Sequence, residues 1–204
     1  FNVISGLEKP ETGNVYLDGR EITGVPGNVS YMLQKDMLLP YRTIEDNVAL
    51  PLLIKGEKKK AAREKVQPYF QEFGLEGTQK KYPGQLSGGM RQRAALLRTY
   101  LFSQKLALLD EPFSALDTLT KSAMHKWYLQ VMEQIHLSTI FITHDIDEAV
   151  LLSDRIYLLT GRPGRITEEI HIREPRPRRS DFNLTDEFLS YKRQILEKLD
   201  MGQE

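Results

Sequence analysis

The feature that most limits how this chain can fold is an alternation, in its second half, of short apolar runs with helical stretches, each run breaking off at polar residues. Residues 105–109 stop at Asp110-Glu111, and the β-branched residues 139–143 stop at His144. Between them, residues 118–135 carry Met124, Trp127, Val131 and Ile135 on one helical face. A short helix over 147–152 and a further strand over 155–159 continue the pattern. Strands that alternate with helices build a parallel sheet, and open sheets of that kind bind ligands at the C-terminal ends of their strands. The polar strand ends are therefore the first residues to ask about function, and Gln34, which closes the apolar run 29–33, joins them. A length of 204 residues suits one α/β domain with a small inserted subdomain.

The remaining segments fill in around that frame. Residues 1–7 read as the tail of a helix stopped by Gly6 and by Lys9-Pro10. Val15 and Leu17 alternate ahead of an Asp18-Gly19 hairpin turn, a small antiparallel piece. Residues 58–73 have helical composition up to Gly74, and Pro68 inside them predicts two short helices; Lys58, Lys59 and Lys60 read as a solvated face. Helix is expected again over 87–102. Pro163 and Gly164 suit a type II turn over 162–165, which returns a strand with Ile166, Ile170 and Ile172 on one face. Residues 174–179 (Glu-Pro-Arg-Pro-Arg-Arg) read as an extended, solvated linker before a last helix capped by Thr185, its acids first and its bases later.

Composition narrows the partners. Lysine plus arginine (28) equals aspartate plus glutamate (28), so no global field draws the chain onto nucleic acid. There is no cysteine, and His125, His136, His144 and His171 do not sit at metal-ligand spacing. No apolar run reaches the roughly 18 to 20 residues that span a bilayer.

Two strings carry chemistry. In Leu86-Ser87-Gly88-Gly89-Met90-Arg91-Gln92-Arg93 a serine and two glycines meet a predicted helix start, where free N–H groups, a hydroxyl and the positive end of the helix dipole make an anion site. Alone, such a feature is often only a cap. In Leu106-Ala107-Leu108-Leu109-Asp110-Glu111-Pro112 an apolar strand delivers two adjacent carboxylates at its end, and Ser114-Ala115-Leu116-Asp117 follows at once. Alone, that pair reads as solvated acids.

Together, and with Gln34 before them and His144 after them, these strings resemble the signature motif, Walker B motif, D-loop, Q-loop and switch histidine of the ATP-binding-cassette (ABC) ATPases. The resemblance covers essentially the whole chain. It implies a P-loop NTPase-like fold with a mostly parallel core sheet, a small antiparallel β piece and a helical subdomain over about 43–103, within an ATPase domain over 1–173 followed by a linker and helix over 174–204. It implies catalytic roles for Glu111, His144 and Gln34, with Asp110 and Gln34 meeting Mg2+. Ser87, Gly88, Gly89, Gln92 and Asp117 are implied to meet ATP across a dimer interface or to lie in the segment that crosses it. The implied partners are a second ATPase subunit in a homodimer, a transmembrane permease at the cytoplasmic face of the cell membrane and, indirectly, an extracytoplasmic solute-binding protein, with no nucleic acid.

Residues 31–36, 153–157 and 161–166 together with the Pro/Arg segment resemble importers of the nitrate, sulfonate and taurine type, and of thiamine-precursor pyrimidines. No G-x-x-x-x-G-K-[S/T] string occurs in residues 1–204. The resemblance puts that loop directly ahead of residues 1–7, so the N-terminal strands and the phosphate loop are expected to be missing. Two other readings stay open: a non-hydrolysing or regulatory protein of the same fold, and a soluble relative that remodels ribosomes or DNA. Neutral charge speaks against the second.

Overall fold

The structure, a computed structural model, describes residues 1–103 and 105–201; residues 202–204, the end of the expected C-terminal segment, lie outside the described residues. These residues form two units, one of Phe1–Met124 with Gln134–Ile142 and one of His125–Glu133 with Thr143 onward.

In the first unit, helix α1 (Asn2–Ser5) ends where Gly6 turns to φ 78°. A Cβ at Gly6 would lie 2.5 Å from the Val25 carbonyl carbon, so the site takes only glycine. Strands β1 (Tyr16–Leu17) and β2 (Arg20–Glu21) pair antiparallel about Asp18 (φ 50°) and Gly19 (φ 76°), the two left-handed positions that an Asp-Gly hairpin turn supplies. Strand β3 (Ser30–Met32) leads through α2 (Ile44–Val48), α3 (Leu50–Ile54), α4 (Lys59–Glu72) and α5 (Gly88–Phe102) to β4 (Leu106–Asp110). Helix α6 (Thr118–Ile135), which runs through both units, then leads to β5 (Ser138–Ile142). The three strands are parallel in the order β3-β4-β5, with Met32 opposite Leu109 and Leu109 opposite Phe141. Ala107, Leu108 and Leu109 of central β4 are buried in succession, the mark of a strand covered on both faces.

Helix α4 corrects the expectation of two short helices. It runs unbroken through Pro68, with Ala62, Val66 and Phe70 on one fully buried stripe. An interior proline costs about 3 kcal/mol, and burial of three apolar side chains at helical spacing is of the size needed to offset it.

The second unit holds α7 (Ile146–Leu152), the antiparallel pair β6 (Arg155–Thr160) and β7 (Arg165–His171), and α8 (Asp186–Met201). Val150, Ile156, Leu158, Ile170, Phe182, Phe188 and Ile195 form its core. Thr185 caps α8 as expected, its Oγ1 accepting from Phe188 N at 3.2 Å.

Three expectations in this unit need correction. Ile170 and Ile172 are buried, but Ile166 is 66% exposed. The register passes from Leu158 opposite Glu168 to Leu159 opposite Ile166, and this one-residue bulge at Thr167 moves Ile166 to the other face. The turn is not type II over 162–165: Thr160 pairs directly with Arg165, and the left-handed backbone falls on Gly161 (φ 79°) rather than on Gly164. Nor is the Pro/Arg segment a solvated spacer. Arg176 bonds Asp154 Oδ1 (2.8 Å) and the Leu152 carbonyl (2.7 Å), Arg179 forks onto Glu174, and the Arg178 side chain is fully buried, donating to the Ser153 carbonyl. Charge alone makes these arginines look exposed; the anchors of Arg176 and Arg178 are carbonyls and a carboxylate at the end of α7, which composition does not display.

Candidate functional site

The parallel register brings two of the strand-end residues together. Met32 lies opposite Leu109, so the residues two steps further on, Gln34 and Glu111, leave neighbouring strands side by side. Gln34 Nε2 donates to Glu111 Oε2 at 3.0 Å and comes within 3.5 Å of Ser114 Oγ. Glu111 has φ 44°, an uncommon conformation for a residue with a side chain. Its N–H still donates to the Ile142 carbonyl (2.9 Å), so the sheet holds it one step beyond β4. Its carbonyl accepts from both Ser114 N (3.2 Å) and Ser114 Oγ (3.0 Å), closing a tight turn. Asp110 sits at the end of β4 close to Tyr31 of β3, whose phenol is pushed up in pKa first by burial and then by the Asp110 carboxylate.

The serine-glycine helix start is positioned by the same unit. Ser87 caps α5, its Oγ accepting from Met90 N at 3.3 Å. A Cβ on Gly88 would stand 3.3 Å from Leu116 Cδ2, and one on Gly89 would stand 3.2 Å from Thr120 Cγ2, so the helix start packs closely on the 114–120 segment because both residues lack side chains. Asp117 Oδ1 accepts from Thr120 N at 3.1 Å, and its hydrogen bonds to Thr120 hold this carboxyl below its usual pKa. Gln92 lies one turn inside α5, 5% exposed, with its Oε1 unpartnered.

Arg91 and Arg98 of α5 reach back to the segment after Gln34. Arg91 Nε bonds Asp36 Oδ2 at 3.2 Å, and Arg98 donates to the Asp36 and Met37 carbonyls at 2.7 and 2.8 Å. In the sequence Ser114 stands out only as the first residue of the D-loop-like string, Tyr31 and Asp36 only within the importer-like segment 31–36, and Arg98 not at all. The separation of 55 positions between Asp36 and Arg91 leaves no local pattern to read.

His144 belongs to the second unit and is exposed, between Thr143 and Asp145. Asp145 caps α7, with Oδ1 accepting from Asp147 N (2.9 Å) and Glu148 N (3.2 Å).

A sequence profile described as "ABC transporter" matches residues 1–114. The chain belongs to the ABC transporter family. It is 45% identical over 172 residues to the formylaminopyrimidine import ATP-binding protein ThiZ of Halalkalibacterium halodurans, covering 84% of this chain and 67% of that one. It is 36% identical over 202 residues to the aliphatic sulfonates import ATP-binding protein SsuB of Bacillus cereus, covering 99% and 78%. Among solved structures, the dimeric ATP-binding cassette MJ0796 in a post-hydrolysis state, bound to ADP and Pi, superposes with a TM-score of 0.68 at 28% identity over 84% of this chain and 78% of that one. The ABC ATPase fold expected from the motifs is therefore the fold found. No helix among the described residues of this ABC protein is long and apolar enough to cross a membrane.

Proposed function

We propose that this ABC protein is the ATP-binding and ATP-hydrolysing subunit of an importer, in which Glu111 is the general base and Gln34 orients it. The observation that carries this reading is the 3.0 Å contact between Gln34 and Glu111 at the C-terminal ends of adjacent parallel strands. A carboxylate held there can take a proton from water as it adds to the γ-phosphorus, while the β–γ bridging oxygen leaves with ADP. The turn closed by Ser114 fixes the Glu111 backbone, so the carboxylate is aimed before the substrate arrives. His144 contacts the γ-phosphate. Ser87, Gly88 and Gly89 offer a capped helix start to the triphosphate held by a second copy of the chain, and Asp117 orders the segment between them and α6.

Among the described residues no three His, Cys, Asp or Glu side chains form a metal cluster. A magnesium ion delivered with a triphosphate needs only one or two protein oxygens, and Asp110 at the end of β4 and Gln34 just beyond β3 would supply them. When bound, it neutralises charge on the phosphates.

The substrate class follows the relatives. ThiZ and SsuB are named for import of formylaminopyrimidine and aliphatic sulfonates, so a small anion of the sulfonate, nitrate or taurine kind, or a thiamine-precursor-like pyrimidine, is the cargo. The subunit works as a homodimer on a transmembrane permease at the cytoplasmic face of the membrane, fed by a solute-binding protein. The experiment is phosphate release from magnesium-ATP by the full-length protein reconstituted with its permease. Release that rises when a sulfonate or pyrimidine is presented with the binding protein supports the proposal; absence of magnesium-dependent release sinks it.

A further inference from the structure

Glu148, on the first turn of α7, is 1% exposed, and a buried carboxylate is costly unless its oxygens are paired. Its oxygens have different partners. Oε2 accepts from the Thr143 hydroxyl at 2.6 Å, a short contact of the kind an ionised acceptor makes, and Oε1 lies 3.2 Å from Nε2 of buried His125 on α6. The Thr143 hydroxyl oxygen in turn accepts from Asp145 N at 3.0 Å.

This differs from an ordinary capping box. With Asp145 at the N-cap and Glu148 three residues on, the glutamate would itself accept the N-cap N–H. Here the Thr143 oxygen accepts that N–H and its hydroxyl donates a hydrogen bond to Glu148, which leaves the glutamate to reach His125. The arrangement clamps the residue before His144 by its side chain and the residue after it by its N–H. A glutamate serving only the helix needs neither the threonine nor the histidine.

We propose that His125 and Glu148 are positioning residues for His144, acting through the Thr143 hydroxyl. The inference rests on the reading above that His144 contacts the γ-phosphate. His125 anchors the carboxylate to α6, the carboxylate fixes Thr143, and Thr143 with Asp145 sets where the His144 peptide and ring stand. Loss of this clamp leaves ATP binding intact and misplaces a group needed for turnover, and a misplacement of about 1 Å can cost on the order of 10²-fold in rate.

The test is steady-state ATP hydrolysis by the full-length protein carrying Thr143→Val, a near-isosteric change that replaces the hydroxyl with a methyl group, beside Thr143→Ser, His125→Ala and His144→Ala, with thermal unfolding of each. The expected result is a kcat lowered about tenfold or more by Thr143→Val and His125→Ala at an unchanged KM for ATP, with Thr143→Ser restoring kcat. A kcat within twofold of wild type for Thr143→Val and His125→Ala, or a lowered melting temperature with kcat unchanged per folded molecule, overturns the inference while His144→Ala is inactive. Full activity of His144→Ala overturns the underlying reading instead.

Discussion

Gln34 Nε2 and Glu111 Oε2 stand 3.0 Å apart, joining residues 77 positions apart in the sequence through a neutral donor and a carboxylate. Gln34→Glu replaces that donor with a second carboxylate. Like charges at this distance do not ionise together, so in the variant one carboxyl of the pair stays protonated to higher pH than a lone carboxyl would. The acid limb of the pH–rate profile for ATP hydrolysis should move to higher pH in Gln34→Glu, with activity partly recovered under alkaline conditions. An unmoved acid limb would remove Glu111 from the role of base.

Ser87 caps α5 and, in the proposed dimer, faces the nucleotide of the other copy. Ser87→Arg places bulk and a misdirected charge there, so hydrolysis should fail while the monomer still unfolds cooperatively. Mixed dimers with a subunit that cannot hold the phosphates decide the point: one composite site loses both elements and the other stays whole. Mixed dimers should be more active than either mutant dimer alone, and equal inactivity of all three contradicts a shared site.

Asp46 of α2 is forked by Arg63, with Nε to Oδ1 at 2.7 Å and Nη2 to Oδ2 at 2.8 Å. The Arg63 hydrogen bonds hold this carboxyl below its ordinary value of 3.8. Because the folded group titrates below the unfolded one, its contribution to stability is complete above the unfolded value and is lost as pH falls through the lower folded value. Arg63→Ala should destabilise the protein at neutral pH by about 2 kcal/mol, since it strips charged hydrogen bonds from a mostly buried acid. It should also flatten the fall in melting temperature below about pH 4. A wild-type slope retained in Arg63→Ala would assign that slope to other carboxylates.

The elements that were legible in the sequence are those whose information is local. Residues 118–135 show their helix by periodicity, Asp18-Gly19 shows its turn by the conformations those residues tolerate, and Ser87 and Thr185 show their caps by chemistry. The misread elements are decided by distant partners. Pro68 stays helical because Ala62, Val66 and Phe70 are buried, and Ile166 is turned outward by a bulge that exists only once β6 pairs with β7. The Pro/Arg segment is held by acceptors on the other side of the β6-β7 hairpin in sequence. The same division runs through the site. Asp110, Glu111 and Ser87 announce themselves in strings, whereas the contacts of Gln34 with Glu111 and of Asp36 with Arg91 need the parallel register of β3 and β4 and the packing of α5 to be seen.

The most direct test is Glu111→Gln in the full-length protein, read as magnesium-ATP binding and steady-state phosphate release side by side. The amide keeps the size of the side chain and its contact with Gln34 while removing the base, and loss of a positioned general base costs about 10² to 10⁴ in rate. Nucleotide affinity close to wild type with phosphate release reduced by that factor is the result the account predicts, and release within about twofold of wild type would contradict it.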